Sequence, residues 1–266
     1  MADISAKDVQ SLRKATGVGM MDAKRALTEN DGDFEKAVVW LREQGLSKAA
    51  ERADRANEQG AVTIARQGNT AAIVELNSET DFVAKSPEFT TLLEALAAAV
   101  LADGEGAIAS HQKAIDDLRI TLKENIAPGR AARFEAPAGA VLDAYLHKQS
   151  DRGVNAVMVQ LEGGDEALAR EISLHIAFAR PTYLTRDDVP ADIVANERQV
   201  QESITRNEGK PEAAVPKIVE GRLTGFFETL VLLEQDFVKD NKVSIATLLD
   251  GAGATLTRFA QVEIGR

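Results

Sequence analysis

The sequence predicts an α+β protein: an N-terminal three-helix unit, then a core of two related α+β subdomains with an inserted antiparallel helical hairpin. Three observations carry this reading. The first 45 residues show only helical periodicity, broken by glycine turns. Two later stretches read as strand pairs followed by helices, and a Gly-Pro break separates two long helical segments in the second half.

In the N-terminal unit, Val9 and Leu12 lie on a first helix that stops at Thr16-Gly17-Val18-Gly19, and Met20 begins a second. Asn30-Asp31-Gly32-Asp33 is a turn. Asp33 suits an N-cap for a third helix over 34–44, with Gly45 ending it. Phe34, Ala37, Val38 and Leu41 recur at helical spacing and are expected to face inward, with Trp40 also in the core. Residues 46–58, rich in Ala, Arg, Lys and Glu, read as a helical linker with a solvated face. The expected divisions are 1–56, 57–138 and 139–266, the hairpin falling at about 189–229.

In the first core subdomain, strands at 61–66 and 70–76 flank Gln67-Gly68-Asn69, a hairpin signal. Ser86-Pro87 opens a helix with Leu92, Leu93, Leu96 and Val100 as its apolar stripe. A further helix at about 111–125 carries Ile115, Leu118 and Leu122. In the second subdomain Gly139-Ala140-Val141 echoes Gly60-Ala61-Val62, before a Val-rich strand at 154–161 and a helix at 166–179. The echo supports a repeat, with coincidence as the alternative. Helical segments 191–207 and 212–228 flank Glu208-Gly209-Lys210-Pro211, either as a projecting hairpin or as core helices. A helix at 244–249 and a strand at 255–264 finish the chain.

Composition narrows function. Acids outnumber bases, 42 to 31, for a net charge of −11, which disfavours direct binding of nucleic acid and suits a protein partner. No apolar run approaches the ~20 residues of a membrane helix, and the N-terminus lacks signal-peptide features. Cysteine is absent, so disulfides, thiolate metal sites and cysteine nucleophiles are excluded. There is no P-loop and no Gly-x-Ser-x-Gly elbow, and His111, His147 and His175 lack metal-ligand spacing. These features lead us to expect a cytoplasmic protein without enzymatic activity, cofactor or bound metal.

The run over 12–27, Leu-Arg-Lys-Ala-Thr-Gly-Val-Gly-Met-Met-Asp-Ala-Lys-Arg-Ala-Leu, closely resembles the N-terminal signature of the elongation factor Ts family. Thr80-Asp81-Phe82-Val83 is similar to that family's core motif, and Val219-Glu220-Gly221-Arg222 and Thr257-Arg258-Phe259 extend the match. The resemblance spans about 9–265. It implies an N-terminal three-helix domain of the ubiquitin-associated type. It also implies an exchange factor that binds elongation factor Tu in its GDP-bound and nucleotide-free forms and promotes GDP release. In the family's manner, Thr80, Asp81, Phe82 and Val83 would dislocate the magnesium site: Phe82 as a wedge between helices, Asp81 by disturbing the polar network around the ion. Arg13, Met20, Met21 and Lys24 would contact the nucleotide-binding domain, and His147 is a candidate contact. Some members continue beyond the position of Gly265-Arg266 into a further helix, a contact not expected here.

The residues alone leave alternatives at each position. Thr80 and Asp81 also suit a turn, with Phe82 filling local core. Met20 and Met21 also suit packing within the helical unit, Arg13 and Lys24 solvated charges, and His147 an exposed loop. A competing function is an adaptor that binds through residues 1–45 alone, for which Phe82 would be irrelevant.

Overall fold

Two stretches, Thr70–Ser78 and Arg152–Glu162, are apolar at consecutive positions, as a strand buried on both faces requires. In the computed structural model, which describes residues 4–266 and all their side chains except those of Ser47 and Lys48, both are central strands. The first sheet orders β1 (Gln59–Gln67), β2 (Thr70–Ser78) and β3 (Ala127–Glu135), all antiparallel. The second orders β4 (Ala140–Gln149), β5 (Arg152–Glu162) and β8 (Thr255–Glu263), also antiparallel. Helix and sheet are thus both major components, as an α+β fold requires.

Strand alternation decides which layer each side chain joins. Val62, Ala71 and Ile73 of the first sheet meet Ala156, Met158 and Val262 of the second, so the sheets pack face to face. On the outer side of the first sheet, Ala72, Val74 and Leu76 pack under α5 (Pro87–Asp103) and α6 (Gln112–Leu122). On the outer side of the second, Val157, Val159 and Leu161 pack under α7 (Glu166–Ala179) and α10 (Ile245–Gly251). The result is helix, sheet, sheet, helix. Each fully buried Val, Ile or Leu contributes about 1.5–3 kcal/mol, so β2 and β5 anchor both the sandwich and the helices outside it.

The N-terminal helices are α1 (Ala6–Thr16), α2 (Met20–Glu29) and α3 (Phe34–Glu51). Ser5 and Asp33 cap the first and third through side-chain hydrogen bonds, and Gly17 ends the first at φ 71°. Val9, Leu12, Ala23, Ala26, Leu27, Ala37 and Leu41 form their common core.

Three expectations need correction here. Gly45 does not end α3, which runs on to Glu51 through half of the expected linker. Gly45 serves packing instead: a Cβ there would stand 2.7 Å from Ile120 Cγ2, so the missing side chain lets α3 cross α6 closely. Phe34 does not face inward; it is 36% exposed at the first residue of α3, because periodicity assigns a face without showing how far neighbouring helices extend over it. Trp40 is only half-buried, with the Arg25 guanidinium 5.5 Å above its ring.

Elsewhere, α6 stops at Leu122, earlier than 125, because Lys123 adopts a left-handed backbone at φ 60°. Strand β3, unexpected from the sequence, opens Ala-Pro-Gly; Pro128 is accommodated where the register shifts opposite Val74 and Leu76. The long helices α8 (Ala191–Asn207) and α9 (Val215–Leu230) pack on each other, with Arg222–Glu208 and Arg198–Glu220 ion pairs across them. A short 3-10 turn, Glu212–Ala214, occupies the expected start of α9. Two short strands, β6 (Asp236–Phe237) and β7 (Asp240–Ser244), form a small hairpin beside α7.

The β4–β5 turn at Ser150-Asp151 has φ of 52° and 63°, and just beyond it β5 passes very close to β1. A Cβ at Gly153 would lie 2.1 Å from the Val62 carbonyl oxygen, which is backbone and cannot move aside cheaply. Gly153→Ala should therefore cost roughly 1–3 kcal/mol in urea unfolding; an unchanged midpoint would contradict this close approach. His175, on α7 and 1% exposed, accepts the Val238 N–H at Nδ1 (3.3 Å) and donates from Nε2 to Gln235 Oε1 (3.0 Å). Burial pushes its pKa below the ordinary imidazole value. The neutral ring's stability contribution is therefore full above about pH 6.5 and declines as pH falls below it, because the unfolded chain takes up the proton first. Unfolding midpoints between pH 7.5 and 5.5 should fall for the wild type and stay flatter for His175→Gln.

Candidate functional site

Beyond the end of β2 the chain makes one helical turn, α4 (Asp81–Ala84). Four residues cannot sustain a helix alone, since nucleation is unfavourable, so neighbours must define this turn. Thr80 caps it, its hydroxyl oxygen accepting the Val83 N–H at 3.3 Å. Ala84 is fully buried, and Val83 packs partly buried against the core under α5. Roughly 200° around the turn from Ala84, Phe82 points away from that core and is 82% exposed. The alternative in which Phe82 fills local core does not hold.

Asp81 Oδ2 accepts a 2.6 Å hydrogen bond from Lys85 Nζ one turn on. That bond, with the charges of Lys85 and Arg152, holds the Asp81 carboxyl below the usual carboxylate range. Arg152 comes from the β4–β5 tip, where its Nη1 donates to the Gly60 carbonyl (2.9 Å) and Gln59 Oε1 (3.3 Å). A cleft lined by Ala84, Lys85, Glu94, Lys148, Asp151 and Arg152 runs between this tip and α4. The two sheets thereby bring Asp81, Phe82 and the β4–β5 tip to one edge. His147 lies on that tip, exposed, with Tyr145 OH 3.3 Å from its Nδ1.

Arg13, Met20, Met21 and Lys24 form a separate group on α1 and α2. All four are exposed, Met20 by 51% and Met21 by 75%, so packing of the methionines inside the helical unit does not hold. Met20 and Lys24 are one turn apart and Met21 is adjacent, which gives α2 one apolar and basic face. Among the described residues neither Arg13 nor Lys24 has an ion-pair partner, and no hydrogen bond joins this group to α4.

Sequence reasoning missed the residues that support α4. Glu79 and Thr80 both donate backbone N–H bonds to Glu124 Oε2 at 3.1 Å, and the Thr80 hydroxyl donates to Glu124 Oε1 at 2.6 Å. Glu124 is 44 residues away from Thr80, in a stretch whose sequence reads as helix, so no local pattern reveals it. Lys85 was legible in principle, from the i,i+4 Asp–Lys spacing. Among the described residues no group of three or more His, Asp or Glu could hold a metal ion, and no helix is long and apolar enough to cross a membrane.

Removal of the Lys85 cation should let the Asp81 carboxyl rise toward its ordinary value. Carboxyl NMR titration of wild type and Lys85→Met is expected to show an upward shift in the variant; coincident titrations would contradict the pairing.

Known proteins add an independent finding. The model of a family described as elongation factor TS matches residues 79–266, beginning one residue before the Thr80 cap. Elongation factor Ts of Clavibacter michiganensis subsp. michiganensis is 46% identical over 277 aligned residues, with 100% of each chain covered. That of Mycolicibacterium vanbaalenii is 47% identical over 278, and that of Mycobacterium tuberculosis strain H37Ra 46% over 278, again with full coverage of both chains. The N-terminal helices, outside the family-model match, are thus inside the aligned span of these relatives. On this basis the chain belongs to the elongation factor Ts family.

Proposed function

We propose that this chain is a guanine nucleotide exchange factor for translation elongation, binding GDP-loaded elongation factor Tu and promoting GDP release. The observation that carries the reading is Phe82: a large apolar side chain held in solvent on an anchored turn, inside the motif that resembles the family's core. An exposed phenylalanine gains little in the free chain, whereas burial in a partner would contribute about 1.5–3 kcal/mol.

In this reading Phe82 enters between helices of the GTPase, and Asp81 perturbs the polar network supporting its magnesium. Thr80 and Val83 set the turn's geometry. Residues 1–56 act as a ubiquitin-associated-like domain and linker. From that domain, Arg13, Met20, Met21 and Lys24 dock on the nucleotide-binding domain, where methionine's flexible, polarizable chain adapts to a partner surface. Residues 57–138 and 139–266 are the two core subdomains. His147 and the hairpin at about 189–229 add docking surface. The protein works in the cytoplasm, catalyses no bond chemistry itself, needs no cofactor, and touches neither nucleic acid nor membrane directly.

The energetics require more than the ring. Exchange factor and nucleotide must each weaken the other's binding to the GTPase, because coupling between two ligands is reciprocal. Each tenfold acceleration of release needs about 1.4 kcal/mol of differential stabilisation of the release transition state. Phe82 can therefore supply one or two decades, and a broad interface must supply the rest and hold the ring in place.

Stopped-flow release of fluorescent GDP from elongation factor Tu tests this directly. Wild type should accelerate release, and Phe82→Ala should slow it by roughly 10- to 100-fold. The substitution should change stability by no more than ~0.5 kcal/mol, as at a surface site. No acceleration by the wild type, or a Phe82→Ala protein that exchanges normally, would refute the function.

A further inference from the structure

We propose that Glu124 is the positioning residue of the Phe82-bearing turn, and that with Asn125 it forms a clasp joining this turn to the linker from the N-terminal helices. The proposal rests on the exchange-factor reading for its functional consequence, and on the free chain's own geometry for the clasp itself.

The exposed ring of Phe82 makes no buried contact of its own, so its direction depends on the backbone of α4. That backbone is one turn long and needs external restraint. Glu124 restrains it at the cap with three hydrogen bonds on one carboxylate: the Glu79 and Thr80 N–H groups on Oε2, and the Thr80 hydroxyl on Oε1. The 2.6 Å hydroxyl bond has the length of a charge-assisted contact. By taking the hydroxyl proton, Glu124 leaves the Thr80 oxygen free to accept the Val83 N–H, so the cap's donor and acceptor directions are both set. Ser78 adds a 2.9 Å hydrogen bond to the Thr80 carbonyl.

Glu124 can reach this position because α6 ends at the left-handed Lys123. The next residue continues the chain of contacts. Asn125, itself buried, donates its backbone N–H to Glu79 Oε1 at 2.7 Å. Its side-chain amide gives both protons to the linker, to the Ala53 carbonyl at 2.9 Å and the Arg55 carbonyl at 2.7 Å. An Arg55–Glu79 ion pair at 3.4 Å closes the ring. A linker displaced by docking of the N-terminal helices would thus pull on Asn125 and Glu79, the chain neighbours of Glu124 and Thr80.

Two readouts test this on the full chain: amide hydrogen exchange of Thr80 and Val83 in the free protein, and stopped-flow GDP release from elongation factor Tu over a range of concentrations. Glu124→Ala and Glu124→Asp should both speed exchange of the two amides by at least about tenfold. Both should lower the saturating release rate by at least about tenfold while shifting the half-saturating concentration less than about threefold. Glu124→Gln keeps the length and one acceptor oxygen for the two N–H groups but puts an NH2 donor where Oε1 accepts the Thr80 hydroxyl, and should fall between wild type and Glu124→Ala in both readouts. Glu124→Asp keeps the charge, and serves if the alanine variant does not fold. Asn125→Ala should speed amide exchange at Thr80 more than at residues of β5. Wild-type amide exchange in folded Glu124→Ala or Glu124→Asp would overturn the clasp. Accelerated amide exchange with an unchanged release rate would overturn the positioning role alone. If the wild type itself failed to accelerate release, the exchange-factor reading and the positioning role would fall together, and the amide data would still decide the clasp.

Discussion

A helical turn of four residues carrying an exposed aromatic ring cannot organise itself, and the surrounding structure is arranged to compensate. The free energy of helix nucleation is unfavourable, and Phe82 contributes no burial within its own chain. Order is imported from three sides: Ala84 and Val83 in the core beneath, the Thr80 cap with its Glu124 carboxylate, and the Asp81–Lys85 pair on the flank. Each fixes a different part of the turn, and none of them covers the ring. The free protein therefore keeps an apolar group in water in a defined direction, the pre-organisation on which an inserted anchor depends.

The two-sheet sandwich serves the same end at longer range. Because β2 and β5 are covered on both faces, the sheets are locked in one relative placement. That placement carries the β4–β5 tip across β1, a crossing that only a glycine at position 153 allows, and sets Arg152 and Lys148 beside α4. An edge built from two packed sheets is harder to distort than a loop on one. The N-terminal helices join this frame through the α3–α6 crossing at Gly45 and through the linker carbonyls held by Asn125. In a chain with a net charge of −11, the Arg55–Glu79 and Lys85–Asp81 pairs and the nearby charge of Arg152 limit carboxylate repulsion around Asp81.

Much of this was legible before any coordinates. Helices 166–179 and 191–207 emerge with their bounds unchanged, because caps and periodicity act locally. The hairpin around Gln67-Gly68-Asn69 was similarly local. What could not be read were consequences of distance. Strand β3 is an edge strand with Pro128 and two arginines, so its weak pattern gains meaning only from pairing with β2. Gly45 looked like a stop signal because a glycine that permits helix crossing and one that ends a helix are identical in sequence. The motif at 80–83 was found by resemblance, whereas Glu124 and Asn125 were not, since their partners lie 44 to 72 residues away. Whether Phe82 faced core or solvent was undecidable from residue types, and the structure decides it.

The account turns on where that ring goes. The most direct test is photo-crosslinking with p-benzoylphenylalanine in place of Phe82, followed by mapping of the adduct on GDP-loaded elongation factor Tu. The account predicts adducts concentrated in the nucleotide-binding domain, between helices adjoining the magnesium site. Efficient complex formation with adducts elsewhere, or with none, would contradict it.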